Sequence, residues 1–144
     1  MSKVIVYTIA DGSLAVIHPT GELPIEAVFT KDVPAGAINP RVADISVLPK
    51  DREFRGAWQD SGESIEVDMN RAREIHMKNI RSARDRALDK LDRDFMRALG
   101  QRNDSIVKEI EEVRQKLRDI PQNFDLTAAQ NPDELRSLWP EELK

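Results

Sequence analysis

Apolar or small side chains, one histidine among them, recur in the second half of the chain at Ile65, Met69, Ala72, His76, Ile80, Ala83, Ala87, Leu91, Phe95 and Ala98. Each step is three or four residues, which places all of them on one face of an α-helix. Arg, Lys, Asp and Glu crowd the remaining positions. The pattern predicts a helix from about Glu66 to Leu99, roughly 50 Å long at the standard rise. Ser64 is placed to cap it, Glu66 and Asp68 suit its positive end, and Gly100 suits its stop. A second stripe, Ile106, Ile110, Val113 and Leu117, predicts a helix over about 104–119, capped by Asn103 and ended by Pro121. The short connection from Gly100 to Asn103 folds the two back antiparallel. The second helix, about 24 Å long, then covers only the C-terminal half of the first. The half from Met69 to Ala83 is left to pack on the N-terminal module, a second protomer or a partner, because an isolated amphipathic helix gains little stability in water.

The first half of the chain alternates differently. Lys3 to Ile9 is rich in β-branched residues, Asp11-Gly12 follows, and Leu14 to Ile17 is again β-prone, which together predict a β-hairpin. Pro19, Gly21 and Pro24 interrupt the pattern. Ile25 to Thr30 fits a short helix with Pro24 at its first position, and Val33 to Gly36 fits a turn. Arg41 to Leu48 reads as a third strand closed by Pro49. From Lys50 to Trp58 no period dominates, although Phe54 and Trp58 are spaced to share a helical face. Ser61-Gly62-Glu63-Ser64 is small and polar and falls where the hydrophobic period changes, so it reads as a boundary. Beyond Pro121 a loop-like stretch leads to Asn131-Pro132-Asp133-Glu134, a helix start with Asn as cap, Pro first and acids in the first turn. That helix carries Leu135, Leu138 and Trp139 and stops at Pro140. The predicted fold class is α+β: a small module with a β-hairpin over 1–60, a long antiparallel helical hairpin over 64–120, and a segment with a short helix over 121–144.

Composition narrows the chemistry. Charged residues make up 33% of the 144 positions and aromatics 5%, which suits an elongated helical protein better than a thick core. The formal charge of −4 gives no global case for nucleic acid. There is no cysteine, which excludes disulfides, thiolate metal sites and cysteine nucleophiles, and cytosolic folding is the expectation. The apolar run Val4 to Tyr7 is too short for a signal peptide or membrane span. Phosphate-binding glycine loops, nucleophile elbows and Ser-His-Asp arrangements are absent, so no catalytic, cofactor-binding or metal residues are expected. His18 reads as a surface turn residue. His76 lies on the apolar stripe with no second ligand at zinc spacing, which favours a packed interface histidine. Asp85, Asp89 and Asp92 stand on neighbouring turns but share them with Arg81 and Arg93, four residues from Asp85 and Asp89, so an ion-paired surface is expected rather than a metal site. Residues 71–102 hold ten Lys/Arg against five acids. That stripe can meet phosphates, yet stacking aromatics and a recognition-helix turn are missing, so a protein surface fits it better, with acidic stretches such as Glu109 to Glu112 as complements. The protein-interface candidates are Met69, His76, Ile80, Leu91 and Phe95 on the helix, with Trp58 and Trp139 as anchors at module junctions.

Several stretches resemble small proteins encoded in the late regions of tailed phages and prophages. They are Lys3-Val-Ile-Val-Tyr-Thr8, Asp11-Gly-Ser-Leu-Ala-Val-Ile-His-Pro19, Asp32-Val-Pro-Ala-Gly36, Val42-Ala-Asp44, Leu48-Pro49 and Asp51-Arg-Glu-Phe-Arg-Gly-Ala-Trp58. Arg71 to Met77, Ile80-Arg81, Arg84, Leu91-Asp92, Phe95 to Ala98, Leu117 to Asp119 and Leu135 to Leu143 extend the likeness over most of the chain. The resemblance implies a tail component or a chaperone for tail or tail-fibre assembly. It further implies other tail proteins as partners, a homo-oligomer, no cofactor, and a place in the virion tail or in host cytoplasm during assembly. A small phage-encoded regulatory or counter-defence protein, engaging a host factor through the basic helix, is the alternative.

Overall fold

A computed structural model describes residues 2–144 and has an α+β fold. The chain divides into two compact units, Met1–Ala72 and Arg73–Lys144.

The first unit is built on the expected hairpin. Strands β1 (Lys3–Thr8) and β2 (Leu14–Ile17) pair antiparallel around Asp11-Gly12, where Gly12 takes φ +87° and Asp11 accepts the Ser13 amide at 2.8 Å. After helix α1 (Ile25–Asp32), strand β3 (Ile38–Asp44) pairs with the other side of β1, giving the order β2-β1-β3. The third strand starts and ends earlier than its sequence suggests. Asn39, at φ +50°, lets it enter through an irregularity opposite Val6 and Thr8, where Pro40 is tolerated on an edge strand. At its end, Asp44 caps a single 3₁₀ turn, Ile45–Val47. The central strand β1 is buried on both faces, as Val4, Ile5 and Val6 require.

The stretch Ser61–Ser64, expected as a boundary, is instead the turn of a second hairpin. It joins β4 (Trp58–Asp60) to β5 (Ile65–Val67), with Gly62 at φ +98°. Val4, Val6, Ala43, Trp58 and Ile65 form the core between the two sheets, with Leu14 and Val16 packed against it. Because residues 65–67 are paired as strand, the long helix α2 (Met69–Gly100) begins three residues later than expected. Asp68 rather than Ser64 caps it, accepting the amides of Asn70 and Arg71.

A bidentate ion pair ties β3 to the second hairpin. Arg41 donates to Asp60 at 3.2 and 2.9 Å, and Asp60 also accepts the Gly62 amide. The guanidinium holds the Asp60 carboxyl below its ordinary value. The unfolded chain therefore binds this proton at a higher pH than the folded chain does. The pair's stabilisation is complete above the ordinary carboxylate value, about pH 4, and is lost as pH falls through the folded value. Asp60→Asn should lower stability at pH 7 and flatten this part of the acid limb. Urea midpoints taken from pH 7 down to pH 2.5 check this; an acid limb as steep in the variant as in the parent would exclude the pair as its source.

In the second unit α2 continues and is followed by α3 (Asp104–Asn123) and α4 (Pro132–Ser137). The turn after α2 does not use its glycine as expected. Gly100 is helical, while Arg102 takes the left-handed position at φ +55°. Amides of Arg102 and Asn103 bond back to Leu99 and Ala98, the paired pattern that closes many helix ends. Asn103 caps α3 as expected, its side chain accepting the Ile106 amide. Pro121 lies inside the last turn of α3, which runs on to Asn123, because one missing amide donor so near the end leaves the neighbouring bonds intact. Asn131 caps α4 with Pro132 as its first residue, as its sequence predicts.

Candidate functional site

The start of the α2 seam, Met69 to Ala83, was expected to be left uncovered by the second helix and to pack on the N-terminal module, a second protomer or a partner. Within the second unit a segment not anticipated, the C-terminal one, supplies cover. His76 is 2% exposed and Ile80 fully buried. Residues 124–144 supply the cover: Leu126, Ala129, Leu135 and Pro140 are buried there. The His76 Nε2 lies 2.7 Å from the Leu138 carbonyl oxygen, which can only accept, so this nitrogen carries the proton. The His76 ring meets that of Trp139 edge to face at 5.7 Å, and the Trp139 indole donates to Leu143. Arg73 donates to the Ala129 carbonyl at 2.8 Å.

The interface candidates sort accordingly. His76, Ile80 and Trp58 are buried inside their own units, so they pack the fold and offer no free face. Met69 and Trp139 are half-buried, as are Leu91 and Phe95. Phe95 is further screened by Arg114, whose guanidinium carbon sits 4.5 Å from the ring centroid. Arg114 also bridges the two helices, reaching Asp92 and Glu111 at 3.0 Å each.

Exposed large apolar residues occur in both units: Ile9, Leu23, Ile38, Val42 and Ile45 in the first, and four on the two long helices of the second. Met96 is 67% exposed, and Leu99, Ile106 and Val113 are all exposed. Two helices alone hide only a narrow strip between them, so side chains off that strip stay exposed. Met96 stands off the periodic stripe, so no hydrophobic period could have singled it out. Ile106 and Val113 belong to the stripe and read as buried in sequence.

Charges on α2 also pair differently from the sequence expectation. Asp85 bonds its neighbour Arg84 and Asp92 bonds Arg114, in place of the four-residue pairs of Asp85 with Arg81 and Asp89 with Arg93. Among the described residues, no group of three or more acidic or histidine side chains could hold a metal ion. Arg86, Lys90, Arg93 and Arg97 are exposed and join no ion pair among those residues, so they leave a basic row on α2. No helix among the described residues is long and apolar enough to cross a membrane.

In the first unit, His18 is exposed and borders a groove with Arg52, Arg55 and Trp58. Sequence gave no hint of this grouping, because residues 50–58 lack a period and their partners lie on β2. Comparison with protein-family models, curated proteins and solved structures returns no match to this chain.

Proposed function

We propose that this chain is a tail-associated structural or assembly protein of a tailed phage, acting by protein–protein docking and oligomerisation rather than by catalysis. The tail context rests on the sequence resemblance. The docking role is supported by one observation: Met96, Leu99, Ile106 and Val113 stand exposed on the two long helices, whereas His76 and Ile80 further back on α2 are buried. Large apolar side chains left exposed on a helical pair favour a protein partner. The expected result is that mass spectrometry of purified particles, or of tail-assembly intermediates, finds the chain in stoichiometric amounts, with light scattering showing an oligomer. Particles and intermediates without it, together with normal tails after its deletion, would refute the proposal.

The basic row Arg86, Lys90, Arg93 and Arg97 favours a second reading, a regulatory or counter-defence protein that grips a host factor through α2. That reading expects a monomer absent from particles, and a host protein whose recovery in pull-downs is lost when these four residues become glutamate.

A further inference from the structure

We propose that the open edge of β2 binds an extended peptide segment bearing acidic side chains, adding it to the three-stranded sheet as a fourth strand. This inference does not depend on the tail assignment. In the order β2-β1-β3, β2 has β1 on one side and, among the described residues, no strand on the other. An edge of this kind offers backbone donors and acceptors to an incoming strand, and pockets beside it select the alternate side chains.

This edge has a pocket on each face. Leu14, Val16 and His18 lie on one side of the pleat and Ala15 and Ile17 on the other. On the first side is a groove of about 290 Å³ lined by Leu14, Val16, His18, Arg52, Arg55 and Trp58. On the second is a cavity of about 230 Å³ that includes Ile17, Leu23 and Val28, with His18 at the strand end bordering both. A strand laid along β2 sends successive side chains alternately into these two spaces.

The chemistry of the first groove selects an acid. Arg52 and Arg55 are exposed and pair with no carboxylate among the described residues. The Arg52 guanidinium lies 6.0 Å from the Trp58 ring centroid. Trp58 is 4% exposed, and its indole nitrogen has no hydrogen-bond acceptor among the described residues. Two guanidinium forks suit a carboxylate, which each can meet with paired hydrogen bonds. The second cavity has apolar surface from Ile17, Leu23 and Val28, with Lys31 facing two acids, Glu22 and Asp32, at its margin, so it takes the apolar side chains and not the acidic ones. The preferred segment therefore alternates acidic and apolar residues. A second copy of this chain is the wrong occupant: pairing β2 with β2 would bring two arginine-lined grooves together, and like charges across an interface oppose association.

The test uses the full chain and a fluorescent octapeptide alternating Glu and Val. Its controls are the matching Lys–Val peptide and a Glu–Val peptide N-methylated on the residues that would pair with β2. Anisotropy should show the Glu–Val peptide binding about tenfold or more tightly than the Lys–Val peptide, with the N-methylated peptide failing to bind. The R52E/R55E variant should lose about tenfold in affinity while melting like the parent, since both side chains are exposed. Amide shifts in ¹⁵N spectra should centre on residues 14–18. No binding, equal affinity for the Glu and Lys peptides, an unchanged R52E/R55E variant, or shifts confined to α2 and α3 would each overturn the proposal.

Discussion

Leu135→Ala should lower stability by about 2–5 kcal/mol, the usual range for removing a fully buried leucine side chain. Leu135 has no exposed surface and sits on α4, a helix of six residues. So short a helix has no stability of its own and persists only through what it buries. The loss is a large share of the roughly 5–15 kcal/mol that holds an ordinary domain together. Urea denaturation followed by circular dichroism gives the number, with Leu135→Met as the volume-conserving control at under about 1.5 kcal/mol. A loss below about 1 kcal/mol for the alanine variant would mean that residues 132–140 do not pack as described. A double-mutant cycle between His76 and Trp139 extends the test. Their edge-to-face contact should give a coupling of about 0.5–1.5 kcal/mol.

Phe54→Ala should cost about 3–5 kcal/mol in the first unit. Phe54 is 1% exposed and begins a run in which Ala57 and Trp58 are buried as well. The same denaturation experiment measures the effect, and Phe54→Leu should retain most of the stability. A small effect in the alanine variant would mean that Phe54 is not packed as described.

The elements that could be read from sequence were those whose signal is local. Asp11-Gly12 between two β-branched runs fixed the first hairpin, Asn103 fixed the start of α3, and Asn131-Pro132 fixed the start of α4. In each case a turn or cap residue acts on atoms within three positions of itself. The second hairpin was not legible, because β4 and β5 have three residues each, too few to display a period of two. The cover over His76 was not legible either. Leu126 and Ala129 lie singly in a polar, irregular stretch, and only the fold brings them to the helix seam. Phe54 and Trp58 suffered the same ambiguity: between charged neighbours their spacing suggested a helical face, and the chain makes only a 3₁₀ turn, Arg55–Ala57, between them, with both side chains buried. Of the candidate contacts, Leu91 and Phe95 keep part of their surface, whereas the side chains that remain most available, Met96 above all, interrupt the pattern used to find the others.

The cover formed by residues 124–144 also orders events during synthesis. Chains emerge from the ribosome at roughly 5–20 residues per second, and early units fold while later ones are still being made. Strands β1 to β5 can close as soon as residue 72 is clear of the exit tunnel. The histidine on α2 must wait for Leu138 and Trp139, so for several seconds the nascent helix presents its greasy side to solvent. A holding chaperone, or early capture by whatever the mature protein joins, would matter most in that interval.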